Sequence, residues 1–125
     1  MGPEAWESFC LGYLIREKNF VPTGLNLGRT LKSFDIVGRD WGNGKRVYAQ
    51  CKKDQIVKGI EEGFYDAARE IKMVERDAKI YYFPYGGCDS FPSDVIDEVI
   101  DGRQIEDSWL KTEDGQKYLK MFLNY

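Results

Sequence analysis

The sequence predicts an α/β fold. A mixed central sheet is flanked by helices in the order helix, three strands, helix, strand, and a helical C-terminal extension follows. Three observations carry the prediction. Apolar residues recur with helical spacing near the N-terminus and again after residue 55. Alternating stretches at 33–40 and 45–53 flank an Asn-Gly turn signal. A β-prone run, "AKIYYFPYGG" (78–87), comes after the second helical stretch. At 125 residues, 42% hydrophobic and 31% charged, the chain suits a single domain, 1–125, with its core at about 4–85 and its helical extension at about 92–125.

Each element has its own signal. In "EAWESFCLGYLIREK" (4–18), Trp6, Phe9, Cys10, Tyr13 and Leu14 form the apolar stripe of an amphipathic helix. A short strand over 19–22 ends at Pro22, and the Gly-punctuated "TGLNLGRTLK" reads as a loop. "SFDIVGRD" and residues 45–53 form a hairpin across "WGNGK". Asp54 is a candidate N-cap for a helix over 55–76, with Ile56, Ile60, Phe64, Ala67, Ile71 and Val74 facing inward. Gly59 and Gly63 are expected inside that helix, where they would permit close approach to the sheet. "PSDVIDEVI" and "DSWLKTEDGQKYLKMFLNY" are read as one short and one longer helix.

Composition narrows the function. No apolar run approaches a membrane span, and the N-terminus shows no signal-peptide core. Cys10, Cys51 and Cys88 are odd in number and lack CxxC spacing, which favours a reducing, cytoplasmic compartment over a disulfide framework or zinc knuckle. The absence of histidine excludes Ser-His-Asp and Cys-His triads and His-based ribonuclease chemistry, leaving carboxylates, lysines, tyrosines or metal-bound water. Net charge is −3, yet residues 1–58 hold ten Lys/Arg against six Asp/Glu, and residues 59–125 hold eight against fifteen. A polyanion would prefer the first half, where Arg29, Lys32, Arg39, Lys45, Arg46, Lys52, Lys53 and Lys58 cluster. Without a partner, the same asymmetry is simply a patchy surface.

Residues 46–54, "RVYAQCKKD", carry the chemistry. Val47, Ala49 and Cys51 point to one face, Arg46, Tyr48, Gln50 and Lys52 to the other. That second face is either simply wet, or Gln50 and Lys52 act together. Pairing across the Asn-Gly turn puts Asp35 near Gln50 and Lys52 at the open end of the hairpin. A carboxylate, an amide oxygen and an ammonium would converge there. Asp35, Gln50 and the backbone carbonyl of Cys51 are hard oxygen donors suited to Mg²⁺, and Lys52 would stabilise charge on a phosphate. Such a group supports metal-assisted phosphodiester cleavage.

"FDIVGRD" followed by "YAQCKKD" resembles the signature of the PD-(D/E)XK, or restriction-endonuclease-like, nuclease superfamily. Gln in place of the second carboxylate resembles a variant frequent in the branch related to methylation-dependent type IV restriction enzymes. Phe34 stands where the motif has Pro. The resemblance covers about residues 4–85 and implies an αβββαβ core, with Asp35 as metal-binding residue, Gln50 as second ligand and Lys52 as catalytic lysine. It also implies a metal-proximal Glu on the first helix, best matched by Glu7, with Glu4 a turn earlier as the alternative. Mg²⁺ or substituting Mn²⁺, DNA rather than RNA, an endonuclease or junction-resolvase activity, and a homodimer or larger assembly are what the resemblance implies. Arg39, Lys45, Arg46, Lys53 and Lys58 are the candidate nucleic-acid contacts, and Trp41 either stacks on a base or packs locally. Two other readings compete: the same fold used for binding or assembly without catalysis, and an interaction module working through the acidic C-terminal helices.

Overall fold

The computed structural model describes residues 2–23, 33–54 and 58–123, with side chains up to residue 121. Among the described residues, four helices flank a five-stranded mixed sheet of order β1-β2-β3-β4-β5. The α/β class and the αβββαβ order of the first six elements are as the sequence predicts.

Helix α1 (Pro3–Glu17) buries the expected stripe of Trp6, Phe9, Cys10, Tyr13 and Leu14. It stops where the Lys18 N–H closes on the Leu14 carbonyl and Asn19 takes a left-handed φ of 54°. Asn tolerates that conformation better than most residues, and it turns the chain into β1 (Phe20–Pro22). Strands β2 (Ile36–Asp40) and β3 (Arg46–Lys52) are antiparallel with Ile36 opposite Ala49. The Asp40 carboxylate organises the turn between them, accepting the Gly42 and Asn43 N–H groups, and Gly44 supplies the positive φ. Helix α2 (Glu62–Val74) then carries the chain to β4 (Lys79–Pro84), which runs parallel to β3.

The two faces of the sheet make two cores. Val47, Ala49, Tyr81 and Phe83 pack against α1, together with Ile105 and Trp109 from the C-terminal region. On the other face Phe34, Tyr48, Ile80 and Tyr82 pack against Phe64, Ala68 and Ile71 of α2. Each large side chain buried this way contributes about 1.5–3 kcal/mol of transfer free energy. The face of β3 bearing Tyr48 and Gln50 is therefore not wet; α2 covers it.

Several local expectations are corrected. Helix α2 starts at Glu62 rather than near 55, and Asp54 is not its cap: the Asp54 carbonyl accepts the Gly86 N–H at 3.1 Å. Residues 55–57, including Ile56, and residues 24–32, with most of the expected loop and with Arg29 and Lys32, lie outside the described residues. Gly59 precedes the helix, and a Cβ on Gly63 would meet nothing within 4 Å, so neither glycine serves close packing on the sheet. Val74, expected to face inward, is 85% exposed at the last position of α2. "PSDVIDEVI" forms turns and a short parallel strand, β5 (Glu98–Val99), beside β4. Its Asp97 accepts both the Ile80 N–H and the Lys72 ammonium at 2.7 Å, which fixes the segment as an edge of the sheet.

The helical extension is α3 (Gly102–Ser108), begun by an Asp101–Gln104 capping box, and α4 (Glu113–Leu123). It folds back onto α1: the Tyr118 hydroxyl donates to the Ser8 carbonyl at 2.9 Å, and Gly12 leaves room for the Tyr118 ring. The Trp6 indole N–H donates to the Phe83 carbonyl at 3.0 Å, tying the start of α1 to the end of β4.

Candidate active site

Asp35 stands one residue before β2, and the register of Ile36 with Ala49 brings it opposite Gln50. Its N–H donates to the Ala49 carbonyl at 2.9 Å, and its Oδ2 accepts the Cys51 N–H at 2.7 Å. The carboxylate thus takes the place of a strand partner at the point where β2 has not yet begun. The Lys52 carbonyl is bonded to Tyr85 of the β4 side, so by strand alternation the peptide groups of Cys51 point to the β2 side, towards Asp35.

Gln50 is the buried polar side chain of β3, with 8% exposure. Its Nε2 donates to the Ser33 carbonyl at 3.2 Å, and its Oε1 has no partner among the described residues. A buried acceptor left unpaired costs about 1–3 kcal/mol, so its retention calls for an explanation. Glu7 lies half-buried on α1, at the border of the apolar stripe. Burial first, then the negative charges of Asp35 and Glu4, push its carboxyl above the usual range. Two carboxylates therefore repel each other at this end of the sheet, on the α1 side, while the Gln50 side chain leaves β3 on the face that α2 covers. Glu4 is exposed and is the smallest of the three influences.

The Lys52 ammonium is bound by Glu61, Nζ to Oε1 2.5 Å, with side-chain exposures of 28% and 64%. Glu61 is the N-cap residue of α2. The sequence did not single it out, because a helix assumed to start near 55 hides Glu61 on its second turn. The detectable signal was a glutamate just ahead of the first buried helix position, Phe64.

The expected metal ligands Asp35, Gln50, Cys51 and Glu7 are thus gathered at one end of the sheet, with Lys52 beside Gln50 on β3. Among the described residues, no group of three or more His, Cys, Asp or Glu side chains could hold a metal ion. What is gathered is two carboxylates, an unpartnered amide oxygen and a peptide carbonyl. That all-oxygen set fits a hard divalent cation, and Gln50 Oε1 is the atom such an ion would satisfy.

The candidate nucleic-acid contacts divide by position. Lys53 lies over the Tyr85 ring, 3.6 Å from its centroid, and Lys58 is exposed ahead of α2, both at the Lys52 end. Arg39, Lys45 and Arg46 are at the hairpin end, where six residue steps along β3 put Arg46 about 20 Å from Lys52. There Arg39 donates to the Gly44 carbonyl, Lys45 pairs with Asp77 at 3.1 Å, and Arg46 pairs with Glu75 at 3.3 Å. Trp41 does not pack locally; it is 79% exposed. Cys51 packs against the core cluster that contains Cys10, whose thiol is pushed well up by burial and then by its hydrogen bond with Cys51. Cys10 is therefore no nucleophile at neutral pH.

A shallow groove of about 410 Å³, lined by Gly59, Ile60, Glu62, Tyr65, Ser90 and Phe91, opens beside Glu61. No helix among the described residues is long and apolar enough to cross a membrane. Compared with known proteins, the chain matches no family model, no curated protein and no solved structure.

Proposed function

We propose that the chain is a metal-dependent phosphodiesterase of the nuclease type, acting on DNA. What supports this reading is that one end of the sheet holds both the orphaned, buried Oε1 of Gln50 and two mutually repelling carboxylates, Glu7 and Asp35. A cation reaching both would satisfy that acceptor while relieving the repulsion. Glu7, Asp35, Gln50 and the Cys51 carbonyl would hold the ion, with Mg²⁺ the expected one and Mn²⁺ a substitute. When bound, it would supply an activated water and neutralise charge on the phosphate.

The chain's own residues do the rest. Asp35 is held in place by the Cys51 N–H, which keeps one carboxylate oxygen committed and the other available. Lys52 offers an ammonium for the charge that develops on a phosphate oxygen. The N-termini of α1 and α2 both lie at this end of the sheet, adding partial positive charge favourable to a phosphate. The location agrees with a general rule for α/β proteins, in which ligands gather beyond the carboxyl ends of parallel strands. DNA is preferred to RNA on the motif resemblance.

Incubation with Mg²⁺ or Mn²⁺ and single-stranded, duplex and branched DNA tests the reading. Cleavage is expected, falling by at least about a hundredfold in Lys52→Ala, the order typical for loss of one charge-stabilising donor. Undiminished cleavage by that variant, or none by the wild type with any substrate, would reject it. The second reading, a nuclease-like fold that binds without cutting, draws on there being two carboxylates rather than three. It expects Mn²⁺ binding no better with Asp35 than with Asn at that position.

A further inference from the structure

We propose that the Lys52–Glu61 ion pair is an internal stand-in for substrate: a phosphodiester oxygen displaces the Glu61 carboxylate from the Lys52 ammonium, and Glu61 turns to the open N-terminus of α2. This rests on the nuclease reading and names the step by which the phosphate gains its cation. No covalent bond changes and no proton moves. One anionic oxygen replaces another, so the charge balance around Lys52 is conserved.

The position of Glu61 is the first support. Helix N-caps favour Ser, Thr, Asp and Asn, whose short side chains reach the free N–H groups of the first turn. Here the N-cap is a glutamate that makes no such bond and reaches across to β3 instead. Its residue type and its contact both depart from what the helix alone would select, and such departures concentrate at functional positions.

The second support is the asymmetry of the pair. Lys52 is the more enclosed partner and Glu61 the solvent-facing one, 28% against 64% exposed. The carboxylate can leave and regain water at little cost, whereas the ammonium stays at the strand end beside Gln50. The third is that Glu61 has somewhere to go. The first turn of α2 has no side-chain cap, and Gly63 leaves it sterically open, with empty space where a Cβ would stand. A carboxylate there is favoured by the helix dipole. Arg46 and Glu75 at the other end of β3 are unlike this, since Glu75 also accepts the Tyr48 hydroxyl and both partners are about equally covered.

The test is binding of a short fluorescently labelled single-stranded DNA, followed by anisotropy with Ca²⁺ in place of Mg²⁺. Glu61→Gln keeps the shape and removes the competing charge. It is expected to bind about three- to fivefold more tightly than wild type, the worth of one half-exposed ion pair. Glu62→Gln, the same charge change one residue on, should leave affinity near the wild-type value. The gain from Glu61→Gln should vanish in a Lys52→Ala background. Equal gains in both glutamate variants, a gain that survives without Lys52, or weaker binding by Glu61→Gln would overturn the exchange while leaving the nuclease reading intact. A Lys52-dependent gain in a protein that never cleaves would support the exchange and reject the nuclease reading. Failure of every protein to bind, with melting temperatures showing each to be folded, would reject both.

Discussion

The two ends of β3 are built from the same kinds of residue and treat them oppositely. At the hairpin end Lys45 meets Asp77, Arg46 and the Tyr48 hydroxyl share Glu75, and Arg39 donates to the Gly44 carbonyl. At the other end Glu7 and Asp35 face each other as like charges, Gln50 keeps an unpaired oxygen, and Lys52 is held by an exposed carboxylate. A network that closes on itself has finished its work when the protein folds. One left electrically and sterically incomplete stores a preference for something not in the chain. Under the proposed function, the difference is that between structural and functional charge at the two ends of a strand of seven residues.

The sharpest way to break that comparison is to complete the unfinished end with hydrocarbon. Gln50→Leu removes the orphaned acceptor from the site. Mn²⁺ binding, read by calorimetry, is expected to fall by more than about tenfold, while the melting temperature holds or rises because a buried polar group is gone. A large drop in melting temperature with Mn²⁺ binding retained would place Gln50 among the structural residues.

A smaller effect follows from pH. The Glu7 carboxyl is raised by burial and by Asp35, so its folded state favours the protonated form. Without a cation, the stability this contributes is present below the unfolded carboxyl range and is lost as pH rises through the raised folded value. Protons and cations therefore compete for Glu7. Mn²⁺ should raise the melting temperature more at pH 7 than near pH 4.5, and Glu7→Gln should flatten that dependence. An unchanged pH dependence in the variant would remove Glu7 from the site.

The smallest effect is expected at the finished end. Glu75→Ala should cost about 1–2 kcal/mol of stability in denaturant unfolding, through the Tyr48 hydroxyl and Arg46 together, and leave cleavage and Mn²⁺ affinity unchanged. A change in cleavage would show that the two ends are coupled.

Much of this contrast was legible in the sequence. The stripe of α1, the hairpin, and the register that puts Asp35 opposite Gln50 all follow from periodicity and one turn, because local pattern fixes antiparallel register. What was not legible depends on a distant element. Alternation shows that Gln50 and Lys52 share a face, but only the docking of Phe64, Ala68 and Ile71 makes that face a buried one. Glu61 is hidden for a related reason: the start of α2 is set by where the helix meets the sheet, and no capping residue announces it. Strand β5 is not legible as a strand because two residues are too few to show a period, and Asp97 fixes them through partners 17 and 25 positions away.

The indole bond from Trp6 to Phe83 has a consequence for when the site exists at all. The N-cap of α1 is Gly2, which makes no side-chain bond to the helix, so the first turn is anchored by Trp6 rather than by its own end. Glu7 is the next residue in the chain. An opening that extends from that turn through Glu7 would withdraw its carboxylate without unfolding the sheet, and hydrogen exchange would register it as a sub-global event. A cation bound by Glu7 and Asp35 would then be a staple across residues 28 positions apart, and slower exchange at the start of α1 would be its signature.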